Sequence, residues 1–368
     1  MHATHIFYIM RILLFGEYSG FFTCLRDGLV ELGHEVFMAS NGDSFRNYPA
    51  DYRWDVKVKG SLGVYLSAAN VFMHLDKFSG FDVVLVISFR PLGFLPFVNK
   101  KIISFLVEHN KKVFVSAAGL DYYSFDYWCE HPEEKYNKYV SGYLAASEKT
   151  GKRFPLHNRT FLKKEEVESI SKVRGLIPIM YEYWKPYSSF KNIQHSICLP
   201  INIKKFQYKP NVIKDKIVFF HGVTRACKGG ELIKQAFDEM ERDFGDVAEF
   251  HCKGGLPFNE YIDLLSRTNC VLDDTNAYSL GMNSLFSMAQ GRIVMGGVEP
   301  ESQKDLGYLN NPALNLKPDV EQIKKQIKKV IDNKEKIEEW GMESRKFVEL
   351  YHDHVKVAAQ YLKIFENV

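Results

Sequence analysis

Lys228 and Arg225 are the side chains best placed for chemistry in this 368-residue chain, because of what flanks them. They lie in IVFFHGVTRACKGG (217–230), which reads as a buried strand, a short basic loop and the start of a helix. Arginine forks onto phosphate oxygens and lysine supplies a point charge. The glycines let backbone approach a ligand closely. A second segment of the same grammar, YSLGMNSLFSMAQGRIVMGG (278–297), places a small polar loop ahead of another helix. Free N–H groups at a helix start, with cations close by, form a phosphate cradle. The two segments predict one site that grips a nucleotide diphosphate from two sides. Gly222, Arg225, Lys228 and Gly229 form one arm, and Ser279, Gly281, Met282 and Asn283 the other. Ser279 and Asn283 also suit plain N-capping, which is compatible with that role. Lys228 and Arg225 would stabilise charge developing on a departing diphosphate.

Further candidates lie in the first half. Asp121 closes the strand KVFVSAAGL, where a carboxylate either orients and deprotonates a substrate hydroxyl or makes a local Asx turn. Tyr122, Tyr123, Phe125, Tyr127 and Trp128 follow at once, and either stack on sugar rings or fill a small core. The loop Gly16-Glu17-Tyr18-Ser19-Gly20 is no G-x-G-x-x-G fingerprint, so a dinucleotide site has little support there. His251 reads as a packed strand residue, and His352 and His354 lack partners for a metal site.

Composition narrows the class. The chain is 46% hydrophobic and 25% charged, typical of a globular protein with a large core. A net charge of +3 gives no nucleic-acid-style basic excess. Six scattered cysteines, none in a C-x-x-C pair, read as reduced thiols rather than a zinc site or disulfide framework. No apolar run approaches the length of a membrane span, and the N-terminus does not read as a signal peptide, so a cytoplasmic location is expected. Helix 99–112 mixes apolar and lysine residues; it reads as an outer helix of its domain, or as a peripheral contact with the inner face of an anionic membrane.

These residues need elements to position them. RILLFG (11–16), EVFMAS (35–40), DVVLVIS (82–88) and KVFVSA (112–117) are strands, alternating with helices. Continuous apolar strands separated by helices predict parallel, doubly wound sheets with ligands at the C-terminal strand ends. The stretch 122–165 breaks the rhythm and reads as an aromatic insertion. Strands return at Gly175–Ile179 and 196–206, and again at 217–222, 248–254, 270–274 and 292–297. Helices fall between the later strands, one of them at 259–267. The chain length favours two domains, divided in the polar segment Lys204–Lys216. The expected division is 1–203, 204–340 and C-terminal helices over 341–368.

Four segments, in order, resemble the nucleotide-sugar glycosyltransferases of the GT-B fold, especially the retaining family four: RILLFGEYSGFFTCLRDGLVELGHEV, SICLPINIKKF, HGVTRACKGGELIKQAF and LFSMAQGRIVMGG. The resemblance implies an α/β fold of two facing Rossmann-like domains with a cleft between them, and C-terminal helices over 341–368 that pack back on the first domain. It implies transfer of a sugar from a nucleotide diphosphate donor to a saccharide or lipid-linked acceptor, with retention, in surface polysaccharide or glycan synthesis. No metal or other cofactor is required, and no nucleic acid is a partner. By the same resemblance the nucleobase meets Leu256 and Pro257, and the loop carrying Gly16, Glu17, Ser19 and Gly20 lies on the acceptor side with Tyr122 and Tyr123. The family has two glutamates flanking the second loop, and here Tyr278 and Phe286 occupy those places. Glu299, in GGVEPES, is the candidate replacement carboxylate for the ribose. The absent pair also fits a non-catalytic GT-B subunit that binds glycan or nucleotide, and a sugar-nucleotide epimerase is a third reading.

Overall fold

The computed structural model describes residues 8–43, 46–58, 60–93, 95–149, 159–223, 226–254 and 264–368. Two parallel sheets organise them. The first contains β1 (Arg11–Phe15), β2 (Glu35–Ser40), β3 (Tyr52–Arg53), β4 (Val83–Val86), β5 (Lys112–Ala117) and β6 (Gly175–Pro178), in the spatial order β3-β2-β1-β4-β5-β6. The second contains β7 (Ile217–Gly222), β8 (Ala248–Lys253), β9 (Cys270–Leu272), β10 (Ile293–Gly296) and β11 (Leu314–Asn315), in the order β11-β10-β9-β7-β8.

The central strands are apolar on both faces because both faces are covered. In β1, Ile12 and Leu14 enter one core with α1 (Phe21–Glu31), while Leu13 and Phe15 enter another. That second core lies under α2 (Gly60–Met73) and α3 (Pro96–His109). Each such fully buried side chain contributes roughly 1.5–3 kcal/mol. The insertion folds as helices: α4 (Tyr122–Cys129), α5 (Lys135–Lys149) and α6 (Arg159–Lys172). A short α7 (Tyr181–Trp184) follows β6.

In the second unit, α8 (Gly230–Phe244) follows β7, α9 (Met282–Ala289) follows β9 and α10 (Pro300–Asp305) follows β10. Next come α11 (Val320–Asp332), α12 (Ile337–Tyr351) and α13 (His354–Asn367). The helix expected over 259–267 begins outside the described residues.

Two expectations change in detail. Residues 196–206 form no regular strand; they run as a connector, buried over 196–202, whose Ile201 bridges Asp353. The backbone N–H of Ile201 donates to His352 O at 2.6 Å, and that of His354 donates to Ile201 O at 3.1 Å. Of the C-terminal helices, α12 packs on α9 and β10 of the second unit, and α13 alone packs on α1 of the first. The return crossing is therefore at His352–Asp353. There the buried His352 bonds Leu199 O through Nδ1 at 2.8 Å and meets Tyr308 Oη through Nε2 at 2.9 Å. Burial depresses its imidazole to about 4, so it is neutral near pH 7.

Candidate active site

Both sheets present the C-terminal ends of their strands to one cavity of about 520 Å3. That is where open parallel sheets bind ligands, since loops and helix N-termini converge there. The first sheet contributes Tyr18 and Ser19 after β1, Arg90 after β4, Gly119 after β5 and Glu182 on α7. The second contributes Lys228, Asp273, Asp274 and the loop Ser279–Asn283.

Lys228 stands between β7 and α8, and its Nζ donates to Asp273 Oδ1 at 2.6 Å. Asp273 Oδ2 accepts from Ser284 Oγ at 2.8 Å. Burial opposes ionisation of Asp273, but Lys228 and Ser284 outweigh it and hold the carboxyl below its usual range. Asp274 differs. Its Oδ1 accepts the N–H groups of Asn276 and Ala277 in an Asx turn, and burial lifts it to about 6. The lysine loop is tied to this turn: Asn276 Nδ2 donates to Cys227 O at 2.7 Å and Thr275 N to Lys228 O at 3.2 Å. Gly229 has φ +73°, and a Cβ there would meet Thr275 Oγ1 at 2.0 Å. The loop can therefore lie flat against β9 only with glycine at that position.

The second arm is an uncapped helix start. Gly281 is the N-cap of α9 and has no side-chain cap. Gly281, Met282 and Asn283 line the cavity, so the positive end of the helix dipole faces it. Neither Ser279 nor Asn283 caps the helix. Ser279 Oγ instead donates to Glu182 Oε2 at 2.7 Å. Glu182 is 2% exposed, and burial raises its carboxyl to about 7. α5 adds Tyr136, Tyr139 and Tyr143, at helical spacing on the cavity wall.

Several expected roles are corrected. Asp121 does not face the cavity. It is the N-cap of α4 in a reciprocal capping box with Ser124, and its other oxygen accepts from Tyr187 Oη, so its acceptors are spent on structure. Glu17 is likewise turned inward. It accepts from Gly20 N at 3.1 Å, Phe22 N at 3.3 Å and Thr23 N at 2.8 Å, closing the start of α1. Burial raises its carboxyl to about 7. Tyr122 is buried with Phe125 and Trp128 in a local core, and Tyr123 stacks on Tyr187 at 5.2 Å; neither lines the cavity. Glu299 does not line the cavity: Lys135 Nζ donates to it at 2.7 Å and to Leu316 O at 2.8 Å, pinning α5 to the second sheet.

Other expected residues shape the backbone or touch the cleft directly. Gly16 (φ +108°) packs against Ile87 and Gly20 (φ +85°) against Tyr48, while Ser19 reaches the cavity. Gly222 ends β7 behind the cavity wall. Arg225, Leu256 and Pro257 lie outside the described residues. Glu182, Asp273, Asp274, Arg46, Arg90 and the α5 tyrosines line the cavity without having been singled out from the sequence. Of these, the aspartates had a signal, since CVLDD ends a strand of the second sheet; Glu182 had none.

The two positions where glutamates were absent have structural duties. Tyr278 Oη donates to Glu134 of the insertion, and its ring lies 5.0 Å from Tyr181. Phe286 stacks on Phe206 at 4.5 Å. Among the described residues no three His, Cys, Asp or Glu side chains cluster as a metal site, and no helix is long and apolar enough to cross a membrane. The six cysteines are free thiols.

No protein-family model matches the chain, and no curated protein matches it in sequence. Solved structures do. HepE from Anabaena, in complex with UDP and glucose, superposes with a TM-score of 0.62 at 12% identity, covering 98% of this chain and 100% of that one. Sucrose-phosphate synthase from Thermosynechococcus elongatus gives 0.63 at 12% identity, over 97% and 98% of the two chains. UDP-GlcNAc 2-epimerase from Neisseria meningitidis, bound to UDP-GlcNAc, gives 0.51 at 11% identity, over 97% and 100%. The two facing parallel α/β units of this chain, with their cavity at the joined strand ends, are the GT-B fold.

Proposed function

We propose that the protein is a glycosyltransferase that takes a sugar from a nucleotide diphosphate donor. The observation that carries this is the convergence of Lys228 and the uncapped start of α9 on one interdomain cavity. A lysine ammonium and a ring of unpartnered N–H groups are what a diphosphate requires. As the sugar leaves, negative charge grows on the phosphate, and both groups lower the barrier by being already in place. In this reading Asp273 positions Lys228, and no metal ion is required.

The acceptor side is the first-domain wall, where the half-buried Tyr143 of α5 offers its phenol ring to a saccharide or lipid-linked acceptor. The reaction retains the anomeric configuration, and the leaving phosphate itself takes the acceptor proton. That HepE was solved with UDP and glucose, and the epimerase with UDP-GlcNAc, supports a nucleotide-sugar ligand. We place the activity in the cytoplasm, in surface polysaccharide or glycan synthesis. The loss of carboxylates at Tyr278 and Phe286 favours one competing reading, a non-catalytic subunit that binds nucleotide or glycan.

Thermal-shift titration of the whole chain with UDP, GDP, ADP and their glucose conjugates tests binding. Donor hydrolysis, followed as free nucleotide diphosphate, tests turnover. Binding with slow hydrolysis is the expected outcome. Binding without release of nucleotide diphosphate would establish the subunit reading, a new sugar nucleotide would establish epimerisation, and no binding of any of the six compounds would refute the assignment.

A further inference from the structure

The carboxylate missing from the second-domain loop has a counterpart across the cleft. Three carboxylates line the cavity: Glu182, Asp273 and Asp274. Asp273 is committed to Lys228 and Ser284, and Asp274 to its Asx turn. Glu182 has neither kind of commitment. Its carboxyl accepts from Ser279, from Oγ at 2.7 Å and from N at 3.4 Å, and from its own backbone N–H. The cation whose charge reaches it, Lys135, is itself paired directly with Glu299. A carboxylate can accept about four hydrogen bonds, so capacity is left toward the cavity. A buried carboxylate without a cation is costly unless hydroxyl or N–H donors satisfy it. A sugar is a dense source of hydroxyl donors.

Position supports this. Ser279, which anchors Glu182, adjoins Tyr278, one of the two places where the glutamates are absent. Glu182 is held from behind as well, since its backbone carbonyl accepts from Trp128 Nε1 at 3.1 Å. α7 is therefore fixed with its acid beside the loop that opens α9.

We infer that Glu182, delivered from the first domain, binds hydroxyls of the donor sugar, while Lys228 and the start of α9 in the second domain hold the diphosphate. This rests on the nucleotide-sugar assignment above. It has a consequence for how the donor is read: the nucleotide diphosphate needs only the second domain, whereas the sugar needs both.

The test is isothermal titration of the full chain with UDP and with UDP-glucose, or the GDP or ADP pair if the wild type prefers it. Wild type and Glu182→Gln are compared. Gln keeps the shape and can still accept from Ser279, but it replaces one acceptor oxygen by an amide donor and cannot ionise. The expected result is UDP affinity within threefold of wild type and UDP-glucose affinity at least tenfold weaker. Equal losses for both ligands would make Glu182 a structural residue and overturn the inference, as would no loss for either. If Gln lowers the melting temperature too far for titration, Glu182→Asp, which withdraws the acid by one methylene, carries the same comparison with the same deciding outcomes. Failure of the wild type to bind any of these nucleotides would instead remove the nucleotide-sugar assignment, and the role of Glu182 with it.

Discussion

Replacing Lys228 by Met separates what this residue does for the fold from what it does for the ligand. Met keeps most of the apolar stem and deletes the charge. The ammonium sits 2.6 Å from Asp273, and the two side chains are only 18% and 11% exposed. Removing it leaves the largely covered Asp273 with Ser284 as its remaining side-chain donor. Breaking a buried pair from one side costs about 3 kcal/mol, because the surviving charge is uncompensated. At roughly 2–4 °C per kcal/mol for a unit of this size, the melting temperature should fall by about 6–12 °C. Adding Asp273→Asn removes the stranded charge and should restore most of that loss. Ligand binding should not follow stability. A charge-assisted contact to phosphate contributes about 1.5–3 kcal/mol, so UDP affinity should drop roughly ten- to hundredfold in both the single and the double variant. Differential scanning fluorimetry and calorimetric titration read the two effects independently. A single variant as stable as wild type would refute the buried-pair argument. Recovery of UDP affinity in the double variant would refute the contact between Lys228 and the diphosphate.

Two further outcomes follow from the same geometry. His352 titrates near 6.5 when unfolded and near 4 in the fold. The unfolded chain therefore binds the extra proton first, and the stability this residue confers is complete above pH 6.5 and is lost as pH falls toward 4. That amounts to about 3 kcal/mol for a shift of 2.5 units (6.5 − 4); denaturation of wild type and His352→Asn at pH 7.5 and 4.5 should show the gap between them narrowing at the lower pH, and a constant gap would count against it. Gly229→Ala forces a side chain into a left-handed backbone and onto Thr275 Oγ1; a loss of about 2–3 kcal/mol with weaker UDP binding is expected, and wild-type values for both would show that the loop does not depend on glycine.

Much of the fold was legible because buried parallel strands carry an unusual signature. RILLF, VVLV and IVFF are apolar at consecutive positions, which only a doubly covered strand tolerates. Lys228 was legible for a related reason: a cation between such a strand and a helix has few other uses. Asp121 and Glu17 were misread because an acid after a strand serves equally as a helix cap. The spacing Asp121–Ser124 is itself a capping signal, and the structure shows it used that way. Glu182 was not legible at all. It sits on a four-residue helix with no motif, and it matters only because the folded chain brings α7 against Ser279, 97 positions away.

The aromatic insertion and the missing glutamates prove to be one structural change. Tyr278 stands where a donor-facing acid would be, yet its hydroxyl is turned to Glu134, which the insertion supplies. Its ring joins Trp128, Phe125 and Tyr136 in a core that also contains Cys227, beside Lys228. α5 approaches this loop so closely that a Cβ on Gly142 would lie 2.9 Å from Cys227 Cα. A glutamate at 278 would set a second carboxylate against the half-buried Glu134 at the edge of that core, and like charges that close repel. Docking the insertion on the phosphate loop thus excludes an acid at 278. On the proposed function an acid serving the donor sugar would then have to enter from outside that core, and Glu182 reaches the cavity in that way, next to Ser279.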